Sequence, residues 1–391
     1  MEKSNPIVVF WSEGFPHEIS ASNEKHKLMA KALADIGYVV YLTSKKPFQH
    51  SEIMYGIHEG LKYFNFHKKG NSLTYLSYLN STFKEICFFK KLRRKNNRVY
   101  LIGNYSPFLF YTMYFVVCKF LKIKLVLNIM EWHISIYKNS KFIKKCNAFL
   151  FDKIAVFMSD GIIVISDLIY EKLSKTIYEK KIVKIPVITD IQLIDSIVKI
   201  SIFPFKYVLY CGSISYLEVI TLIVVSFNKL VDSGLSLEIH LVLVIQGSEG
   251  KISTFKNWIL NDKYSERIHI YSKLDYSTLI QFYKNAELLL VPLRDTVQDK
   301  ARYPQKIAEY TACERPIISN NIGQVGIDFQ HKKNIFFAPD FSVEAISDSM
   351  NEVLRKLGHY EIMASNAKDK CKTYFHYSNY GTEMDRFLSL L

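Results

Sequence analysis

The sequence predicts an α/β protein made of two consecutive lobes, each an open parallel sheet wound by helices. Three observations lead there. The chain has 391 residues, too many for one ordinary core and enough for two of about 150 to 200 residues each. Hydrophobic residues make up 49% and charged residues 23%, a composition that packs rather than one that stays disordered. Apolar runs of strand length alternate with helix-length amphipathic segments through both halves, the order that strand–helix–strand units produce.

The elements follow in turn. PIVVFW (6–11) reads as the first strand, a helix follows near 22–36, Gly37 ends it, and YVVYLTS (38–44) is the next strand. RVYLIG (98–103), KLVLNI (124–129), GIIVIS (161–166) and KIVKIP (181–186) continue the first lobe. After Pro204 a second series opens with KYVLYCG (206–212), a helix to about Ser233 and EIHLVLVIQG (238–247). RIHIYSKL (267–274), a helix from Asp275, AELLLVPL (286–293), a helix around 304–313 and RPIISN (315–320) complete it. The expected domains are residues 1–195, residues 196–365, and a helical segment 366–391 that packs back on the first lobe. In open parallel sheets, ligands sit beyond the carboxyl ends of the strands, so the residues just after each strand are the ones to search.

Composition narrows the classes of function. The six cysteines (Cys87, Cys118, Cys146, Cys211, Cys313, Cys371) are widely spaced and mostly within apolar runs, which reads as buried reduced thiols rather than a disulfide framework or a zinc site. MEKSNPIVVFW has too short an apolar run for a signal peptide or an anchor, so a cytoplasmic protein is expected. In SPFLFYTMYFVVCKFLKIKLVL, Lys119, Lys122 and Lys124 cut the apolar run to about 12 residues where a span needs about 20, so it reads as a buried helix running into a strand. The net charge of +14 lies wholly in residues 1–200, while residues 201–391 balance to zero. Lys90, Lys91, Arg93, Arg94, Lys95 and Arg98, then Lys138, Lys141, Lys144 and Lys145, read either as a solvated basic face or as a surface for a polyanion or an anionic membrane. No motif supports nucleic acid as a partner.

Three segments of the second half, YCGSISYLEVITLIVVSFNKL, RIHIYSKLDYSTLIQFYKNAELLLVPLR and ARYPQKIAEYTACERPIISNNIG, stand in an order and spacing that resembles the donor lobe of glycosyltransferase family 4. The resemblance covers most of 206–325 and reaches the first half only in local echoes: IVVFWSEGFP, SASNEKHKLMAKALADIGYVV, and VISDLIYEKL before IPVITD. It implies the GT-B architecture, two facing Rossmann-like lobes with a cleft between them. It also implies a retaining transfer of sugar from a nucleotide-diphosphate sugar to a glycan or lipid-linked acceptor, with no metal or other cofactor. The expected setting is surface polysaccharide synthesis, peripheral to the membrane.

The family's ribose-binding glutamate corresponds to Glu309 in Glu309-Tyr310-Thr311-Ala312-Cys313-Glu314-Arg315-Pro316. The local chemistry points the same way. Pro304 suits the first helical position, residues 304–306 would present free N–H groups to an anion, and Lys306 and Glu309, three apart, share a helix face. An i,i+3 surface salt bridge accounts for the same pair without a ligand. By resemblance, Arg302 and Lys300 on the preceding loop, with Gly212 and Ser213 after the strand, join Lys306 at the diphosphate. The resemblance also implies that Ser272, Lys273 and Leu274 face the base and that His133 lies by the transferred sugar, with Glu131 as an alternative base or sugar ligand; Gly14 would allow close backbone approach.

The departures are as informative as the matches. Ala301 replaces a second glutamate, although Pro304, Lys306, Glu309 and Tyr310 fit a P-x-K-x-x-E-Y branch of the family. Glu314 stands where a helix-ending glycine is usual, and Ser272 replaces another glycine. Glu218 occupies the place of a diphosphate-binding cation; a carboxylate about 4 Å from a phosphate repels it by about 4 kcal/mol at an effective dielectric of ~20 and by about 1 kcal/mol in water. Two further readings stand beside the transferase: a catalytically silent protein of the same fold, acting as a nucleotide-sugar sensor or as partner of an active transferase, and a sugar-nucleotide epimerase.

Overall fold

The apolar, β-branched runs of the chain form two parallel sheets in the computed structural model, which describes residues 5–12, 20–44, 55–66, 75–96, 98–138, 140–234 and 238–391. Gly14 lies outside the described residues. The first compact unit comprises residues 1–188, 301–303 and 377–391; the second comprises 189–300 and 304–376.

The strands of the first unit are Ile7–Ser12 (β1), Val39–Ser44 (β2), Tyr55–His58 (β3), Leu61–Phe64 (β4), Val99–Gly103 (β5), Lys124–Ile129 (β6), Gly161–Val164 (β7) and Ile182–Lys184 (β8). They lie in the order β3-β4-β2-β1-β5-β6-β7-β8, parallel throughout except for the antiparallel pair β3 and β4. That hairpin is absent from the sequence expectation. Glu59 and Gly60, both at positive φ, make its two-residue turn, and β3 is an exposed edge strand with no apolar run to announce it.

Helix Ala21–Asp35 starts on Ser20, whose hydroxyl accepts the Asn23 N–H at 3.2 Å, and packs Leu28, Met29 and Leu33 under the sheet. The C-terminal helix Gly381–Ser389 closes the same core through Met384, Phe387 and Leu388. The contact is close: a side chain at Gly381 would meet the Ala32 carbonyl at 2.8 Å.

Helix Phe108–Leu121 departs from the sequence expectation. It runs into β6, with a left-handed Lys122 ending it, but it is buried on one face only: Tyr111, Tyr114 and Cys118 point inward while Leu109, Val116 and Phe120 are exposed. The cysteines depart too. All six are free, but Cys87 is exposed and Cys146 half-buried.

In the second unit the strands are Lys206–Ser213 (β9), Ile239–Gln246 (β10), Ile268–Tyr271 (β11), Leu288–Val291 (β12), Ile317–Asn320 (β13) and Phe336–Ala338 (β14). Their order, β11-β10-β9-β12-β13-β14, is fully parallel. Taken from β9, this is the doubly wound 3-2-1-4-5-6 arrangement, whose switch point falls between β9 and β12. The stretch Ile214–Asp232 is long and apolar enough to cross a membrane, yet it belongs to this core: Val219, Ile220, Ile223, Val224, Phe227 and Leu230 are buried against the sheet.

Candidate active site

The carboxyl ends of β9 and β12 are where the second sheet's connections diverge, and the charged side chains gather there. The ladder between β12 and β9 ends at Leu290 and Tyr210. One residue further, the backbone groups of Cys211 turn to side chains from helix Lys306–Ala312. The Cys211 N–H donates to the Tyr310 hydroxyl at 3.0 Å, and the Lys306 ammonium donates to the Cys211 carbonyl while lying 4.0 Å from the centre of the Tyr210 ring. Helix and strand end are thus pinned together by the two residues that the P-x-K-x-x-E-Y pattern places four apart. Glu309, on the same short helix, is buried.

The helix begins later than the sequence suggests. Gln305 is its N-cap, so Pro304 precedes the cap instead of occupying the first turn. The Ile307 and Ala308 N–H groups bond back to the Pro304 and Gln305 carbonyls at 3.0 and 3.2 Å. In this seven-residue helix the capacity to hold an anion therefore rests on the Lys306 ammonium rather than on a row of open amides.

Gly212 and Ser213 end β9, both half-buried. A Cβ at Gly212 would sit 2.4 Å from the Tyr210 hydroxyl, so glycine is required for the strand to turn over that ring. The Ser213 hydroxyl accepts the Ser215 N–H at 3.2 Å and opens a short 3-10 turn, Ile214–Tyr216. Helix Leu217–Asp232 then starts with Glu218 in its first turn.

Glu218 does not stand alone. Arg294, three residues past β12, donates to it from Nη1 at 3.1 Å. The same guanidinium clamps Asp299 with Nε and Nη2 at 2.9 and 3.1 Å and lies 5.6 Å from the centre of the Tyr216 ring. Asp299 is fully buried and also accepts the Arg294 backbone N–H at 2.9 Å. Hydrogen bonds to Asp299, opposed by burial, raise the Arg294 pKa above its ordinary value. The loop from Gly212 to Glu218 is therefore bracketed by two cations, Lys306 at its start and Arg294 at its end. Sequence reasoning identified Lys306 and missed Arg294; its position directly after an apolar strand, with an acid five residues on, was the available signal.

The remaining diphosphate and base candidates are more dispersed. Lys300 is half-exposed and paired with Asp295. Gly323 fixes the backbone beside it: it has φ +56°, and a side chain there would meet Lys300 Cα at 2.8 Å. Arg302 is half-buried on the 301–303 segment, which clusters with the first unit, where the Ala301 carbonyl accepts the buried Ser166 hydroxyl at 2.5 Å. Ser272, Lys273 and Leu274 directly follow the edge strand β11; Lys273 is left-handed with φ +58° and its ammonium pairs with Glu249. Glu314 adopts the left-handed conformation at the helix end, φ +55°, and its carboxylate accepts from Lys368 at 3.2 Å.

In the first unit, Glu131 is half-buried just beyond β6, and His133 begins the short helix His133–Ile136. His133 is buried; its Nδ1 lies 2.8 Å from Asp152 Oδ1, and its ring stacks on Tyr105 with centroids 3.9 Å apart. The other Asp152 oxygen accepts the Ile134 N–H at 2.8 Å. A carboxylate on Nδ1–H fixes the tautomer and leaves Nε2 as the acceptor. Asp152 lies in a π-helical segment, Phe151–Ala155, whose wider turn sets it beneath the histidine. Nineteen residues separate the pair, so no local spacing reveals it.

A cavity of about 430 Å³ lies elsewhere in the second unit, at the amino ends of β12 and β13, lined by Glu287, Arg315 and Pro316 among others. Two of its lysines are committed: Lys284 to the Ile194 and Ile197 carbonyls at 2.6 and 2.7 Å, Lys368 to Asp195 and Glu314. Among the described residues, no three His, Cys, Asp or Glu side chains gather as metal ligands.

Residues 195–370 match the family described as glycosyl transferases group 1. No curated protein matches the chain in sequence. Among solved structures, sucrose-phosphate synthase from Thermosynechococcus elongatus is similar over 99% of both chains, with TM-score 0.78 and 14% identity. Anabaena HepE in complex with UDP and glucose is similar over 98% of this chain and 99% of its own, with TM-score 0.70 and 12% identity. A putative UDP-N-acetylglucosamine 2-epimerase from Listeria monocytogenes is similar over 97% and 94%, with TM-score 0.57 and 12% identity. The chain is an α/β protein of the GT-B fold with two parallel-sheet domains, and its residues 195–370 match glycosyl transferases group 1.

Proposed function

We propose that this protein is a retaining, metal-independent glycosyltransferase of the cytoplasm. It moves a sugar from a nucleotide-diphosphate donor to a glycan or lipid-linked acceptor in surface polysaccharide synthesis. The observation that carries the reading is the β9/β12 switch point of the second unit. Lys306 and Arg294 bracket the loop after β9, and Glu309 lies three residues beyond Lys306 on the helix that pins that strand end. Cations for a diphosphate and an acceptor for a ribose diol are the groups a nucleotide donor needs at such a place. The match of residues 195–370 to glycosyl transferases group 1 supports it, as does an Anabaena neighbour solved with UDP and glucose.

In the proposed reaction, the bond between the anomeric carbon and the β-phosphate oxygen breaks, and the acceptor oxygen bonds to the same face of the sugar. The departing diphosphate gathers negative charge, which Lys306 stabilises, and takes the acceptor's proton. Arg302 and Lys300 keep the diphosphate role implied by resemblance, and Ser272, Lys273 and Leu274 the base. His133, oriented by Asp152, would bond a hydroxyl of the transferred sugar through Nε2, with Glu131 beside it. No protein nucleophile is assigned.

Incubation with a panel of nucleotide sugars and glycan or lipid-linked acceptors, with the anomeric configuration of product read by NMR, tests this. Transfer with retention is expected; inversion would remove the retaining step, and epimerised donor would favour the epimerase. One observation favours the silent alternative: Glu218 already neutralises part of Arg294. Nucleotide binding without turnover across the panel would select that reading.

A further inference from the structure

Two neighbouring helical segments of the first unit expose apolar side chains that their own core leaves uncovered. In helix Phe108–Leu121, Leu109, Val116 and Phe120 follow one another at steps of seven and four, which sets them on one stripe opposite the buried Tyr111, Tyr114 and Cys118. Phe120 is 87% exposed. The helical stretch 142–158 exposes Phe142 (78%), Ile143 (81%), Phe149, Ile154 and Phe157. Phe142 and Phe149 are seven apart on α-helical turns; the five-residue step to Ile154 spans the π-helical segment, which keeps Ile154 outward while Asp152 points inward to His133. The two segments are tied together: the Phe108 N–H donates to Asn147 at 2.6 Å, and the Tyr111 and Ser159 hydroxyls lie 2.6 Å apart.

Charge accompanies the apolar surface. From Phe108 to Met158 the sequence holds eight lysines and two acids, Glu131 and the buried Asp152. Lys122, Lys141, Lys144 and Lys145 are exposed on or beside these helices, as is Lys119, which donates to Asp160 at 2.9 Å. An apolar stripe flanked by cations fits one kind of surface, where acyl chains lie beneath anionic headgroups. A second copy of this face would set like charge against like, and unpaired bases could stack on the phenylalanines but would leave the aliphatic Leu109, Val116, Ile143 and Ile154 uncovered.

We infer that the face formed by residues 108–121 and 142–158 docks on an anionic lipid bilayer, its phenylalanines entering the interface and its lysines meeting the headgroups. This surface lies on the outer side of the π-helical segment that positions His133, so docking would present that segment next to a membrane-held acceptor. Vesicle binding requires neither nucleotide nor acceptor, so its outcome is independent of the transferase reading.

The test is sedimentation of the full chain with vesicles of phosphatidylcholine alone and of phosphatidylcholine mixed with phosphatidylglycerol. The native chain is expected to pellet with the mixed vesicles, more weakly as salt rises, and to stay in solution with phosphatidylcholine alone. Phe120→Glu with Phe142→Glu and Ile143→Glu, all exposed and so compatible with folding by circular dichroism, should weaken partition about tenfold or more. Lys141→Gln with Lys144→Gln and Lys145→Gln should weaken it and flatten its salt dependence. Equal pelleting of the glutamate variant, a native chain that stays in solution with mixed vesicles at low salt, or light scattering showing a dimer that the glutamate variant dissolves while vesicles go unbound, would each overturn the proposal.

Discussion

Each unit withdraws a cation from water, and the two do so in opposite ways. In the second, Arg294 is clamped by the buried carboxylate of Asp299 and touched by Glu218, so its charge is matched and its pKa rises. In the first, Lys25 is fully buried on helix Ala21–Asp35 and donates to the Ile185 carbonyl at 2.7 Å; burial pushes its pKa down to about 7. A neutral carbonyl orients an ammonium without replacing its hydration, whereas a bidentate carboxylate does both. Arg294 therefore stays charged at any physiological pH, and Lys25 changes charge near neutrality. The charge of the two halves differs as well: residues 201–391 balance to zero, and residues 1–200 carry the whole excess of +14.

The largest effect should come from removing the matching carboxylate. Asp299→Ala removes the buried carboxylate and leaves the half-buried guanidinium with only the exposed Glu218 beside it, which should cost about 2–3 kcal/mol of stability in denaturant unfolding; a loss within error would show that Arg294 does not need Asp299. Next is Asp152→Asn, which should allow the His133 tautomer to change and lower kcat by up to about 100-fold, with donor KM and nucleotide binding little altered. A matching loss of nucleotide affinity would assign Asp152 to the fold instead.

The Lys25 side of the contrast is read by pH. Between pH 7 and the unfolded lysine's higher value, the unfolded chain holds the proton and the folded chain does not, so stability should rise with pH by up to about 1.4 kcal/mol per unit. Below pH 7 both states hold it and this contribution to the slope vanishes. Lys25→Met should remove that part of the slope, and an unchanged slope would mean the ammonium is not desolvated as its burial implies.

Smaller effects sharpen the donor side. Glu218→Gln removes the exposed acid facing Arg294 and should tighten nucleoside diphosphate binding about fivefold, the factor for about 1 kcal/mol in high dielectric. Unchanged affinity by calorimetry would place that pair outside the phosphate's reach. At Glu314, whose φ is +55°, the glycine variant should be about 1 kcal/mol more stable than the alanine variant, since only glycine adopts that conformation without cost. Equal melting temperatures would contradict the strain.

The fold class was legible because strands buried on both faces are written as apolar runs, such as KLVLNI and AELLLVPL, separated by amphipathic helices. The β3–β4 hairpin was not, because an exposed edge strand has no such run. Lys306 and Glu309 were legible as a pattern on one short helix. Asp152 and Arg294 were hidden by distance along the chain: one meets a partner nineteen residues earlier from within a π-helical segment, and the other bonds a carboxylate on a loop that starts some eighty residues earlier. The helix start was misplaced because the back-bonds to Pro304 and Gln305 draw the first turn tighter than a proline at the first helical position implies.

In the proposed function, the helix beginning at Lys306 grips a nucleotide. Calorimetric titration of the native chain, Glu309→Ala and Lys306→Ala with a panel of nucleoside diphosphates measures it directly. At least one nucleoside diphosphate should bind the native chain, and each variant should lose about tenfold or more in affinity, the equivalent of one charge-assisted hydrogen bond; nucleotide binding unchanged in both variants would overturn that assignment.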